Sequence, residues 1–522
     1  YAAVATGFAL AVTLPRAGNL AGGGFMVIHL AGGKKTIALD YREMAPMASE
    51  RSMFLDKKGD ADKQLSRYSA LSSGVPGTVA GLVHAQANYG TLTLKEVIQP
   101  AIMLARDGFP VNVDLSNSLA SRFERLSKNS ASKSYFFKEN GEFYQPGEFF
   151  VQTHLANTLE RISKDGVSGF YEGHTAQLIV DEMRRLGGLI SEDDLKNYRV
   201  VTREPVCGIF HKNTICAMPP PSSGGVHLIQ MLNILEGWDL KSLGHNSAAY
   251  IHRLTEVMRR AYADRSAYLG DPDFYSVPID QIVHKEYADS LRSGISLVKA
   301  TASTDIQPGL GIDPETLILN SGHGDKESSE TTHFSTWDRW GNVVSNTTTL
   351  NFSYGNGISI PGAGFLMNNE MDDFSAKPGT PNAFGLLGGA ANAVEPYKRP
   401  LSSMTPAIVF DEKGLPLLVT GSPGGSTIIT TVLQTILNVL VFEMGIAEAS
   451  SVPRIHHQWF PDKLLFESGV SPDTLSILSD MGHDISDVDY VIGATQSIQR
   501  GSNGTILGAP DPRRPGAGAV PQ

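Results

Sequence analysis

Apolar residues recur at three- and four-residue spacing through much of the first half of the chain, the signature of helices with one buried face. The pattern predicts helices over residues 2–14, 79–88, 94–107, 154–163, 175–186, 226–235 and Ala248–Tyr268, several of them stopped by glycines such as Gly90, Gly108, Gly166 and Gly187. Ser191, with Asp194 three positions on, reads as the start cap of a further short helix. Strand-like runs, rich in β-branched residues and alternating in polarity, fall at 25–30 and 36–41 around a Gly32-Gly33 turn, and at 331–337 and 343–351 around a turn at 338–342. A further strand at 407–410 is followed by a passage from strand through Gly421, Gly424 and Gly425 into an apolar helix at 427–444. That helix carries Gln434 and Asn438 and suits a protein core better than a membrane. Between 301 and 329 the texture changes to Gly, Pro, Asp and Ser without sustained periodicity, which predicts an exposed linker and a natural place for a cut.

Composition narrows the classes. The 522 residues, 41% hydrophobic and 19% charged, are enough for a large core and more than one structural unit. A formal net charge of −11 and the lack of a basic run argue against nucleic-acid and anionic-lipid partners. The apolar opening lacks a basic start and runs into Pro15-Arg16-Ala17-Gly18, so it reads as an internal helix of a chain whose true start lies upstream. The glycines at 18–24 do not make a dinucleotide fingerprint, and Gly33-Lys34 does not make a phosphate loop. No motif calls for a cofactor or a metal. Cys207 and Cys216 flank a turn at 210–213; a bridge in an oxidising compartment and two reduced, apolar thiols are both open readings.

The candidate chemistry centres on Glu330-Thr331-Thr332-His333, where the linker becomes a strand. A threonine that becomes a chain N-terminus carries its own base, the α-amine, and its hydroxyl is thereby activated. Strand propensity alone also accounts for threonines here. Arg42 leaves a strand end, and the stretch 368–374 sets Glu370 and Asp373 three residues apart among amides, suited to an ammonium group. Ser402 and Ser403 supply hydroxyls before a strand, and the amides of Gly424 and Gly425 at a helix start suit an oxyanion. The pair Ser222-Ser223 reads as a helix cap rather than a nucleophile.

Taken together, residues 17–26, 40–46, 218–225, 331–333, 371–379, 399–406 and 420–426 resemble the γ-glutamyltranspeptidases, or glutathione hydrolases, and the matching stretches run over nearly the whole chain. The resemblance implies an α/β N-terminal-nucleophile hydrolase fold, a four-layer αββα sandwich. It implies a precursor that cleaves itself between Glu330 and Thr331 into a large piece, 1–330, and a small one, 331–522, which stay together as a heterodimer. Thr331 then attacks the γ-glutamyl amide of glutathione, and water, an amino acid or a dipeptide resolves the ester. By position, Arg42, Ser402 and Ser403 match the groups for the substrate α-carboxylate, and Asn351, Glu370 and Asp373 those for its α-amine. Thr349 matches the hydroxyl that supports the nucleophile, and Gly424 and Gly425 the oxyanion amides. A periplasmic or secreted location follows from the resemblance.

Two positions depart from the pattern. Residues 378–389 resemble the lid loop of lidded bacterial members, but the aromatic is Phe384, where a tyrosine is familiar, and it cannot donate a phenolic hydrogen bond to Asn351. Glu370 stands where some members have glutamine, which predicts a stronger grip on an ammonium. The competing readings are a glutaryl-cephalosporin acylase on the same fold, which has no use for the acids at 370 and 373, and an uncleaved, inactive binding homologue.

Overall fold

A computed structural model describes residues 1–311 and 329–521. Helix α1 (Ala2–Thr13) leads into strands β1 (Gly23–Leu30) and β2 (Lys35–Tyr41), which pair antiparallel. Helices α2 (Thr78–Tyr89) and α3 (Leu94–Asp107) follow, and α3 opens with a capping box between Thr93 and Glu96. The expected Ser191–Asp194 capping box is also present. Short strands β3 (Val201–Arg203), β4 (Val206–Phe210) and β5 (Asn213–Ala217) precede helices α4 (Gly224–Leu235) and α5 (Ala248–Tyr268). Beyond the linker come β6 (Ser329–Trp337), β7 (Val343–Phe352), β8 (Ala407–Phe410), β9 (Pro416–Thr420), α6 (Ile428–Leu440), β10 (Gln496–Arg500) and β11 (Ile506–Pro510).

Two antiparallel sheets result, one in the order β3-β2-β1-β7-β6 and the other β11-β10-β9-β8-β5-β4. Side chains alternate across a strand, and β1 uses both faces. Phe25 and Val27 join the core that includes the second sheet and α4, α5 and α6, whereas Met26 and Ile28 join the core under α1, α2 and α3. A strand buried on both sides reads as an unbroken apolar run, which is what residues 25–28 are. The layers are therefore helix, sheet, sheet, helix, as expected. Ser345 of β7 ties the sheets: its hydroxyl donates to the Thr420 carbonyl at 2.9 Å and accepts from the Ala407 amide at 3.0 Å.

Some expectations need correction. The last core helix runs over Ile428–Leu440, not 427–444, and is preceded by a 3-10 turn at Gly425–Thr427. Ser223 sits at the start of α4 without capping it; its hydroxyl donates instead to the Ser402 carbonyl, and that of Ser222 to the Met404 carbonyl. Of the linker, 312–328 lies outside the described residues, but its beginning is anchored: Glu256 accepts from the amide and hydroxyl of Thr301, and Asp462 from the amide of Ser303. Cys207 and Cys216 stand opposite each other on β4 and β5 and form a disulfide.

Candidate active site

The β6–β7 register puts Thr331 directly opposite Thr349, and the β1–β7 register puts Gly23 on the other side of Thr349. Thr349 thus lies on an interior strand, paired on both sides, which fixes its backbone. Its hydroxyl accepts from the Thr331 hydroxyl at 3.2 Å and from the Asn351 amide at 2.9 Å, and donates to the Glu330 carbonyl at 3.3 Å. Thr349 therefore touches both the candidate nucleophile and the carbonyl of the bond preceding it. The Glu330 carboxylate is held by Arg514, at 3.0 Å, with Arg16 3.5 Å away, which fixes the chain entering that bond.

His333, two residues on, does not serve as a base for Thr331. Its ring nitrogens pair with the hydroxyls of Thr347 at 2.8 Å and Ser335 at 3.1 Å, and burial pushes it down to about 3, leaving it neutral. While the Glu330–Thr331 bond is intact, the Thr331 nitrogen is an amide and cannot act as a base.

Around Thr331 lies a pocket lined by Arg42, Thr349, Asn351, Glu370, Asp373, Phe384, Leu386, Ser402, Ser403, Met404, Gly425 and Ile428. Apart from Glu330 and Gly424, every expected site residue lines this pocket. Gly424 is next to it in the chain, with φ of +137°, a conformation that L side chains rarely adopt, and a Cβ there would meet the Thr427 hydroxyl at 2.4 Å. Neither the Gly424 nor the Gly425 amide has a protein acceptor among the described residues, so both are available to a developing oxyanion, though they belong to the 3-10 turn rather than to the first turn of α6.

Arg42 projects from the end of β2 and is fully buried. Its Nε donates to the Pro400 carbonyl at 3.1 Å, and its two terminal nitrogens pair with Glu370 and Asp373. The groups expected to hold opposite ends of a zwitterion therefore hold each other. Glu43 adds a third buried carboxylate, 3.8 Å from Arg42 and interacting with Glu370. Burial pushes Glu43 up to about 7 despite Arg42, and pushes Glu370 well above the carboxylate range and Asp373 upward for the same reason. Burial opposes the charge on Arg42 too, but Glu370, Asp373 and Glu43 more than offset it and its pKa rises. Nothing in the sequence pattern singles out Glu43 as part of the site. Asp372, between the two acids, faces away and accepts from the Ser66 hydroxyl at 2.6 Å.

Phe384 packs edge-on against Phe352, ring centroids 5.9 Å apart, and its carbonyl accepts from the Gln458 side chain. Among the described residues, His252, Glu256 and His483 also bring ligand-type atoms close together. The two imidazoles bond each other at 2.8 Å and Glu256 is paired with Arg259 and Arg260, so the donors are engaged and two guanidiniums oppose a cation.

Sheet pairing, layer order and a strand-borne threonine at the pocket define the N-terminal-nucleophile hydrolase fold. A cephalosporin acylase from Bacillus halodurans shares it, with a TM-score of 0.85 over 98% of this chain and 89% of that one at 24% identity. The family model for gamma-glutamyltranspeptidase matches residues 1–520, and the chain belongs to that family. The glutathione hydrolase proenzyme of Escherichia coli is 49% identical over 513 residues, covering 98% of this chain and 86% of the relative. A second glutathione hydrolase proenzyme, from Pseudomonas sp., is 44% identical over 92% of this chain and 81% of its own length. The Helicobacter pylori gamma-glutamyltranspeptidase structure is 48% identical over 59% of this chain and 88% of that one, with a TM-score of 0.59. The protein is an enzyme of γ-glutamyl transfer and glutathione hydrolysis.

Proposed function

We propose that Thr331 is both the site of self-cleavage and the nucleophile of the mature enzyme, and that the pocket around it takes the γ-glutamyl group of glutathione. The observation that carries this reading is the shared Thr349 hydroxyl, which joins the Thr331 hydroxyl to the Glu330 carbonyl.

In the precursor, Thr331 Oγ attacks the Glu330 carbonyl carbon. Its proton leaves towards Thr349, whose own hydrogen supports the carbonyl oxygen as it becomes negative. The Glu330–Thr331 C–N bond then breaks, the nitrogen gains a proton, and the acyl group remains as an ester on Thr331 Oγ. Water hydrolyses that ester, leaving the Glu330 carboxylate on a piece of residues 1–330 and a free amine on a piece of residues 331–522. The new amine supplies the base that the precursor lacks.

Substrate binding is an exchange of ion pairs. The donor's α-carboxylate takes the place of Glu370 and Asp373 on Arg42, helped by Ser402 and Ser403, and its ammonium takes the place of Arg42 on the two acids, helped by Asn351. Each buried charge keeps a partner before and after, which avoids the penalty of an uncompensated ion. The planar guanidinium fits a carboxylate through two parallel hydrogen bonds. With its α-carbon so held, the donor presents its γ-carbonyl to Thr331, and the Gly424 and Gly425 amides receive the oxyanion. The leaving amine takes the proton held by the Thr331 amine, and water or an acceptor amino acid or dipeptide then attacks the γ-glutamyl ester.

Acylases are also relatives; the Pseudomonas acylase ACY 1 proenzyme is 35% identical over 515 residues. Glu370 and Asp373 favour a donor with an α-amine over a glutaryl group, which has none. The paired chains act as a heterodimer in the periplasm or outside the cell. The Cys207–Cys216 bridge suits an oxidising compartment, and no described helix is long and apolar enough to cross a membrane. A denaturing gel with a γ-glutamyl p-nitroanilide assay tests the reading: wild type runs as two pieces and releases p-nitroaniline, and Thr331→Ala runs as one and releases none. A wild type that stays whole and inactive overturns it.

A further inference from the structure

Arg265 is buried near the end of α5, outside the lining of the pocket, and makes no ion pair among the described residues. Its Nε donates to the Ser223 hydroxyl at 3.0 Å, and one terminal nitrogen donates to the Ser403 hydroxyl at 3.3 Å. The Ser223 hydroxyl passes its own hydrogen to the Ser402 carbonyl at 2.8 Å. One guanidinium thus holds the Ser402-Ser403 pair from behind by two routes. A buried charge without a carboxylate partner is unfavourable and calls for an explanation.

The chemistry of a hydroxyl supplies one. Ser403 has a single hydrogen, and by accepting from Arg265 its oxygen leaves that hydrogen free to point elsewhere. It has no protein acceptor among the described residues, and Ser403 lines the pocket. Burial pulls Arg265 down to about 10, so the guanidinium remains charged at neutral pH. Asp373 attracts it and Arg42 repels it, so its field reaches the same ion cluster.

Building on the proposed pocket, we infer that Arg265 is a positioning residue for donor recognition: it makes Ser403 a hydrogen-bond donor towards the α-carboxylate and provides a second positive charge behind it. An incoming anion then meets two guanidiniums, one in contact and one through a serine. The unpaired state of Arg265 follows, because its missing negative partner is the substrate's.

The test compares γ-glutamyl p-nitroanilide with the same anilide carrying an α-carboxamide in place of the α-carboxylate. Arg265→Gln lowers the preference for the carboxylate by about tenfold, the size expected for a hydrogen bond to a charged group, through KM, with kcat within about threefold of wild type. Arg265→Lys, which keeps the charge, falls between. Ser403→Ala lowers the preference too, and adding it to Arg265→Gln changes little further, because both act through one hydroxyl. Self-cleavage into two pieces is the control for folding. If Arg265→Gln fails to cleave, the Arg265→Lys and Ser403→Ala pair carries the same comparison. Equal losses for both anilides, an unchanged preference, or fully additive effects overturn the inference. Arg42→Lys separates it from the site reading: a preference unchanged in that variant defeats the pocket assignment itself, whereas a preference lost there but kept in Arg265→Gln defeats only the role of Arg265.

Discussion

The hydroxyls of Thr331 and Thr349 lie 3.2 Å apart on paired strands, and the second of them also reaches the carbonyl that precedes the first. One side chain thus touches both the oxygen proposed to attack and the carbonyl of the bond proposed to break. Thr349→Ala is expected to slow appearance of the two pieces by roughly 100-fold, the loss typical of one oxyanion-type donor, while Thr349→Ser stays within about tenfold. Densitometry of the precursor band over time checks this. Equal rates in wild type and Thr349→Ala would show that the hydroxyl is a bystander.

Arg42 holds Glu370 and Asp373 in this structure, so its loss has two effects. Arg42→Gln leaves buried carboxylates without their counter-ion and is expected to cost about 3–5 kcal/mol of stability, read as a lowered denaturation midpoint. Steady-state kinetics on material that does fold is expected to give a KM raised by at least about 30-fold, with a smaller change in kcat. A variant as stable as wild type would mean that the ion cluster is weaker than its geometry suggests.

Glu43 faces Arg42, Glu370 and Asp373 and is pushed up from 4.5 to about 7. A carboxyl raised on folding keeps its proton in the native state after the unfolded chain has lost it, so its contribution is full below the unfolded value and lost as pH rises through the folded one. Stability is therefore expected to fall between about pH 4.5 and 7, by up to roughly 3 kcal/mol from this group. Glu43→Gln should flatten that slope in urea titrations at pH 5 and pH 8. An identical slope in the variant would place the proton elsewhere.

Phe384 lines the pocket but has no hydroxyl to tie the loop to Asn351. Phe384→Tyr is expected to close the loop more firmly, exclude water from the acyl-enzyme and raise the ratio of transfer to hydrolysis at least about twofold. Product analysis with a fixed dipeptide acceptor measures both rates in one reaction. An unchanged ratio sinks the idea.

What was legible in the sequence follows the strength of local signals. The hairpins of β1–β2 and β6–β7 announce themselves by β-branched residues around glycine or Asp-Asn turns, and α5 by its long periodic run. Strands β10 and β11 were missed because they lie at the margin of the second sheet, and in β11 Ile506 and Leu507 are exposed, so no clear alternation marks a buried face. The individual candidate residues were singled out through the family pattern, since each alone has an ordinary explanation. Their mutual arrangement was not: nothing local says that Arg42 pairs with the acids expected at the opposite end of a substrate. Arg265 stayed hidden for a related reason. It lies among the charged residues 259, 260, 264 and 265 of α5, which a polarity pattern assigns to solvent and the structure buries.

Self-cleavage is assigned to one peptide bond, Glu330–Thr331, and N-terminal sequencing of the smaller piece from purified protein checks that assignment. The expected start is Thr-Thr-His-Phe-Ser, beginning at Thr331. A start at any other residue, or a protein that never separates into two pieces, contradicts the account.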